Sequence, residues 1–125
     1  MVTVDQVRSV ASTLPRSYEV FVQGRVKFRV GRIVYLAFSR DEELLGFAFP
    51  KEWRTALVES EPAKYMLPRE SDLRFNWAVV RLAAIEEEEM RDLVVDAWSI
   101  VVPKSVAAAY AEREGQVWQA SRDGS

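Results

Sequence analysis

The sequence predicts an α+β fold: a two-layer sandwich of one antiparallel sheet with helices packed on one face, in the order α-β-β-β-α-β-α-α. The strand signal is clearest at residues 25–30, where basic and apolar side chains alternate, and at residues 33–38, an apolar run after a two-residue turn. The helix signal is a 3.6-residue apolar period in three stretches: residues 4–14, 50–60 and 86–101. The 125 residues suit one domain, which we assign to residues 1–115.

The first helix is predicted to begin after Thr3. Thr3 and Gln6 have the spacing of a capping box, in which the hydroxyl accepts from an early backbone N–H and the amide side chain reaches back. Pro15 ends the helix because proline has no N–H to donate to the preceding turn.

Three hairpin-linked strands follow as an antiparallel meander: residues 25–30, 33–38 and 44–49. Gly31 suits the first position of a two-residue type II′ turn. Such a turn places Lys27 opposite Leu36 and Arg25 opposite Phe38. In that register one hairpin face is wholly apolar, and the other alternates cations with apolar side chains.

The second half of the chain is predicted to contain a helix over residues 50–60, a loop over 61–75 and a strand over 76–84. Two further helices follow over residues 86–101 and 104–114. Trp53, Ala56 and Leu57 form the buried side of the helix over 50–60. Gly115 ends the last helix, and residues 116–125 lack any apolar period. We therefore expect a flexible tail over residues 116–125.

The composition excludes most catalytic chemistry. The chain has no cysteine and no histidine, which removes thiolate nucleophiles, cysteine–zinc sites and Ser-His couples. Its five glycines do not cluster into a phosphate-binding loop, and no nucleophile elbow occurs. We therefore predict a protein that is not an enzyme and needs no cofactor.

An acidic stripe in the third predicted helix raises the question of a metal site. Glu88, Asp92 and Asp96 recur at four-residue spacing, and carboxylate oxygens are ligands for Ca²⁺ and Mg²⁺. No second element converges on the stripe, and acids in a first helical turn are favoured by the helix dipole. We therefore predict no metal site.

The chain also lacks the signals of a membrane or secreted protein. Its longest unbroken apolar runs, residues 33–38 and 106–111, are far shorter than a membrane span. The first residues lack the basic and apolar regions of a signal peptide. We therefore expect a cytoplasmic protein with no membrane partner.

Four short motifs occur in order along the chain: Asp72-Leu73-Arg74-Phe75-Asn76-Trp77, Val80-Arg81-Leu82, Ala97-Trp98 and Pro103-Lys104. With these motifs the sequence resembles the MmcQ/YjbR family of small bacterial domains over residues 3–112. The resemblance implies a two-layer fold like those of frataxin and the type III secretion chaperones. It also implies the family's common label, DNA binding, and it offers no catalytic residue to carry over.

The charge distribution agrees with that label. Residues 1–40 carry seven Lys or Arg and two acids, whereas residues 41–125 carry ten and seventeen. A basic β-ribbon beside aromatic side chains can contact phosphates and bases. The candidate nucleic-acid contacts are Arg25, Lys27, Arg29, Arg32, Arg74 and Arg81. Binding to DNA is expected to be weak and salt-dependent, because the whole chain has a net charge of −2.

The alternative function is an adaptor that binds a protein partner or a small ligand. Asn76 and Trp77 would line a pocket between sheet and helices, with Tyr65 and the proline-bearing loop above them. Lys104 lies in a first helical turn, where a cation opposes the helix dipole and is available to a partner. Alternating cations on a hairpin also suit a purely solvated face that resists edge-to-edge strand pairing. The nucleic-acid interface, the adaptor and the solvated face are therefore three alternatives that the sequence leaves open.

Overall fold

The computed structural model describes the backbone of residues 1–123 and the side chains of residues 1–114. The helices are α1 Val4–Ala11, α2 Lys51–Ser60, α3 Glu87–Val101 and α4 Lys104–Asp123. The strands are β1 Ser17–Val22, β2 Arg25–Val30, β3 Ile33–Phe38, β4 Leu44–Ala48, β5 Tyr65–Met66 and β6 Trp77–Arg81.

These strands form one antiparallel sheet in the order β1-β2-β3-β4-β6-β5, which confirms the predicted α+β class. The structure adds two strands to the predicted ones, β1 before the meander and β5 inside the 61–75 loop. In β1, Val20 and Val22 are only partly buried and Phe21 is 70% exposed, so the strand lacks the apolar–polar alternation that would reveal it.

The hydrophobic core lies between one face of the sheet and the helices α1 and α3. We call this sheet face the closed face and the opposite one the open face. The closed face is lined by Phe28, Leu36, Phe38, Leu45, Phe47 and Val80. Trp98 of α3 is fully buried against it and donates its indole N–H to the carbonyl of Pro15 at 2.8 Å. The indole therefore satisfies its only polar atom while filling the core.

The predicted capping box at the start of α1 is present. The backbone N–H of Gln6 donates to the Thr3 hydroxyl at 3.3 Å, and the Thr3 N–H donates to Gln6 Oε1 at 2.9 Å. Two backbone donors of the first turn are thereby satisfied.

The β2–β3 hairpin departs from its predicted register. The turn at Gly31 has the expected positive φ, and Arg29 pairs with Val34 as predicted. A bulge then shifts the pairing, so that Lys27 lies opposite Ala37 rather than Leu36. One extra residue in β3 produces this shift, which turns Leu36 and Phe38 toward the core.

The predicted buried side of α2 was wrong. Trp53 is 66% exposed and Ala56 is exposed, while Arg54 is only 8% exposed. Leu57 is partly buried as part of the inward stripe. The helical period predicted that Trp53 would be buried and its neighbour Arg54 exposed. Arg54 is buried instead because three backbone carbonyls accept hydrogen bonds from its guanidinium.

The end of the chain also differs from its prediction. The backbone of α4 continues through Gly115 to Asp123, because a glycine inside a helix costs only about 1 kcal/mol. The side chains of residues 115–125 lie outside the described residues, and the predicted flexible tail over 116–125 remains a prediction. Within the described chain, no helix combines the length and apolar character needed to cross a membrane.

Candidate nucleic-acid interface

The open face of the sheet carries a row of cations on β2. Arg25, Lys27 and Arg29 alternate with the closed-face residues of that strand, so their side chains project away from α1 and α3. All three are partly buried rather than fully solvated. Arg25 donates its Nε to the carbonyl of Phe38 at 2.8 Å, which fixes the start of the row.

The chain over residues 68–75, between β5 and β6, borders this open face, and we call it the wall. Pro68 is buried, and Arg69 and Asp72 each line two adjoining grooves. The grooves have volumes of about 570 and 520 Å³. Cavities of this size are typical of small-molecule sites.

Trp77 lies at the floor between the two grooves and lines both of them. Its indole ring packs into the space above Gly46 on the neighbouring strand β4. A Cβ added at Gly46 would lie 2.6 Å from two atoms of the ring, which no real contact allows. The missing side chain at position 46 is therefore what lets the indole lie low on the sheet.

The cations of β2 lack carboxylate partners. Among the residues whose side chains are described, no acid lies within 4.0 Å of Arg25, Lys27 or Arg29. Asp72 lies closest to Arg69, at 3.4 Å. Burial and, after it, the charges of Arg25, Arg29 and Arg69 lower the pKa of Lys27 below its ordinary value. Asp72 offsets part of the charge at Lys27, and the open face still carries more cations than acids.

The three other predicted nucleic-acid contacts are not part of this row. Arg32 is exposed at the hairpin turn. Arg74 stacks its guanidinium over the Phe75 ring at 4.7 Å from the centroid. Arg81 shares the open face by register, but it donates to the carbonyl of Pro62 at 3.0 Å and so holds the loop in place.

The predicted pocket between sheet and helices does not bring its residues together. Tyr65 pairs with Val80 on the closed face, whereas Trp77 lies on the open face. The Tyr65 hydroxyl donates to Glu89 at 2.9 Å, and burial, aided by that carboxylate, raises the pKa of Tyr65. Lys104 is exposed in the first turn of α4 and contributes to neither groove.

Asn76 has a role that the sequence did not suggest. It lines the second groove, but its side-chain oxygen accepts the backbone N–H of Lys51 at 3.1 Å. Lys51 is the first residue of α2, whose own preceding residue, Pro50, supplies no side-chain cap. Asn76 therefore caps α2 from a distance and joins the groove to that helix.

The sequence reasoning missed Arg54. Its guanidinium donates to the carbonyls of Leu73 at 2.8 Å, Trp77 at 2.9 Å and Phe75 at 3.1 Å. It thereby holds the chain leading from the groove wall into β6. The sequence did contain a signal for this burial, because Arg54 lies three positions before Leu57, on the side of the helix that faces the core.

The acidic stripe of α3 lies away from the open face. Burial and, after it, the nearby Asp92 raise the pKa of Asp96 above its ordinary value. Within the described residues, no group of three or more acidic side chains is placed to hold a metal ion.

Comparisons with known proteins identify a family and a solved structure that this chain resembles. A family model described as YjbR matches residues 12–100. The chain is similar to the crystal structure of Deinococcus radiodurans protein DR2400, which carries a domain described as DUF419. The TM-score is 0.71 at 24% identity, and the match covers 84% of this chain and 82% of that one, which shows a shared fold. No curated protein matches the chain.

Proposed function

The chain belongs to the YjbR family, as its sequence motifs predicted, and on this premise we propose that it binds nucleic acid through the open face of its sheet. The observation that carries the proposal is the row of Arg25, Lys27 and Arg29. These cations lie on the sheet face away from the core helices, and no described carboxylate lies within 4.0 Å of them.

The spacing of the row suits a polyanion. Alternate residues of a strand lie about 6.7 Å apart, within the screening length of about 8 Å at physiological salt. The like charges therefore repel one another, and the lowered pKa of Lys27 reflects that repulsion together with its burial. A phosphate would reduce the repulsion and offset the cost of burial by direct attraction, which supports an anionic ligand over a purely solvated face.

The proposed activity is binding without chemical change of the nucleic acid. The groove residues are mainly cations and apolar side chains, and Asp72, the acid that lines both grooves, is paired with Arg69. Four phosphate contacts, from the β2 row and Arg69, would give a log–log salt slope of about −3.6 on duplex DNA.

The test is fluorescence anisotropy of labelled DNA at low and near-physiological salt. The test variant is Arg25→Gln/Lys27→Gln/Arg29→Gln. Its control, Arg91→Gln/Lys104→Gln/Arg113→Gln, removes the same charge from exposed helical positions. We expect salt-sensitive binding that the test variant loses by at least tenfold and the control retains. Equal loss in both variants, or no binding by the wild type, would contradict the proposal.

A second candidate is an adaptor for a protein partner. One observation favours it: Ile33, Phe75 and Ile100 border the second groove and are 54%, 51% and 45% exposed. An apolar rim of this kind suits a protein surface. The adaptor predicts partner capture that survives high salt and is lost on Phe75→Ser with Ile33→Ser, whereas the nucleic-acid interface predicts the opposite salt response.

A further inference from the structure

We infer that the open face takes a single strand of nucleic acid, with a base packed against Trp77 and phosphates on Arg25 and Lys27. This inference rests on the proposed function and narrows it. It concerns which form of nucleic acid fits the floor of the grooves, whereas the function proposed above requires only that a polyanion reaches the cations.

The first argument is access. Trp77 is partly buried, and it lines both grooves together with Arg69 and Asp72 of the wall. Each groove, at about 570 or 520 Å³, has the volume of a small-molecule site and not of a double helix. A duplex could contact the outer cations with its phosphates, but its bases are stacked and paired inside it. Only an unpaired base can enter.

The second argument is the chemistry of the lining. The partly buried Trp77 lines both grooves together with the cations Arg25 and Arg69, and Phe75 borders the second groove and is about half exposed. Proteins that bind single strands combine a basic groove with aromatic side chains on which bases stack. An apolar peptide would use the aromatic residues but would leave the three unpaired cations of β2 buried against it.

The third argument is continuity. The grooves share Arg25, Ala37, Arg69, Asp72 and Trp77, so they are two compartments of one path across the open face, from β2 to β6. The bulge in β3 places Ala37 beside Lys27, and this small side chain leaves space above the floor of the path. A strand of a few nucleotides can therefore run beside the cations and place one base at the shared Trp77.

The experiment compares binding of three labelled ligands at one moderate salt concentration: an oligothymidine strand, an RNA strand of equal length and a DNA duplex of equal length. The variants are Trp77→Ala, Trp77→Phe and Phe75→Ala, with Trp53→Ala as the matched control. Trp53 is 66% exposed on α2 and lines neither groove. The ratio of the DNA and RNA affinities identifies which strand is preferred.

We expect both single strands to bind at least tenfold more tightly than the duplex. Trp77→Ala should lose about tenfold in single-strand affinity, since stacking of one base on an aromatic residue has that magnitude. Trp77→Phe should retain most of the affinity, Phe75→Ala should lose several-fold, and Trp53→Ala should lose none. If Trp77→Ala fails to fold, the affinity of Phe75→Ala for single strands and the ratio of single-strand to duplex affinity test the inference instead.

Two results would overturn the inference. Equal affinity for duplex and single strands, or a folded Trp77→Ala variant that binds single strands as well as the wild type, would show that no base packs against Trp77. In both cases the proposed function would survive as long as binding still depends on the β2 row. Failure of every ligand to bind would overturn both proposals together.

Discussion

The two faces of the sheet handle charge in opposite ways. On the closed side, Arg8 of α1 binds Glu19 of β1 at 2.7 Å, and Lys64 binds Glu89 of α3 at 3.0 Å. On the open side, Arg25, Lys27 and Arg29 have no carboxylate within 4.0 Å among the described side chains. The same residue types therefore complete the packing of helices on one face and leave a charged surface on the other.

The two faces also differ in what builds them. The closed face follows directly from strand alternation, because every second residue of β2, β4 and β6 is apolar. The open face depends on parts distant in sequence: the wall over residues 68–75, the anchor Arg54 and the gap at Gly46. Substitutions at Arg54, at Gly46 and at the charged residues of each face should show how much each face depends on these contacts.

The largest effect is expected at Arg54, the anchor of the open-face wall. Arg54→Met keeps the apolar stem but removes the donors to three carbonyls, so the free energy of unfolding should fall by about 3 kcal/mol. Urea unfolding measures the change. Glu52→Gln, at an exposed position of the same helix, is the control and should stay within about 0.5 kcal/mol. A loss at Arg54 no larger than the control's would mean that other contacts hold the wall.

The next effect is expected at Gly46, under the indole. Gly46→Ala places a Cβ 2.6 Å from the Trp77 ring, and the required shift should lower the free energy of unfolding by about 2 kcal/mol. A double-mutant cycle with Trp77→Val, read by urea unfolding, isolates the contact. We expect Gly46→Ala to cost much less in the Trp77→Val background. An equal cost in both backgrounds would remove the clash as the cause.

The closed-face pair should give a smaller effect with a defined pH dependence. Arg8 lowers the pKa of Glu19 below its ordinary value of 4.5, mainly through their hydrogen bond. The pair therefore stabilises the fold above pH 4.5, and the contribution is lost as the pH falls through the lowered folded-state pKa.

Glu19→Gln tests this pair and should reduce the free energy of unfolding by about 0.7 kcal/mol at pH 7, because both side chains are partly exposed. Urea unfolding of wild type and variant should converge on acidification. A difference that persists in strong acid would assign the effect to packing rather than to the charge pair.

The smallest effect, and one of opposite sign, is expected at Lys27 on the open face. Its folded-state pKa lies below the ordinary 10.5, so the charged form is disfavoured by folding at neutral pH, and this penalty disappears as the pH rises toward 10.5. Lys27→Met should therefore raise the free energy of unfolding by about 0.4 kcal/mol at neutral pH and by less at high pH. Arg113→Met, at an exposed site inside α4, is the control; an equal gain there would contradict local repulsion.

The sequence predicted the parts that local periodicity determines. The capping box at Thr3 and the position of the Gly31 turn both follow from spacing over a few residues. The basic row of β2 was also predicted, because strand alternation alone places Arg25, Lys27 and Arg29 on one face. Its contact with nucleic acid remains a prediction.

The missed features depend on long-range contacts. Trp53 has the apolar surface expected of a core residue, yet Arg54 takes the buried position because three carbonyls converge on it from residues 73–77. The separation of Tyr65 from Trp77 depends on β5, a two-residue strand too short to show any period. The β3 bulge likewise leaves no trace in an unbroken apolar run.

Because Asn76 both lines the second groove and caps α2, hydrogen exchange at the start of α2 can report whether a ligand is bound in the groove. The amide hydrogen of Lys51 is held by the Asn76 side chain, so it exchanges with solvent deuterium only when the segment over residues 73–77 and the helix end separate. A ligand that fastens this segment reduces the population of that opening. Deuterium uptake at the first turn of α2 then slows by the factor by which the ligand stabilises the closed state, and the affinity can be determined without labelling the ligand.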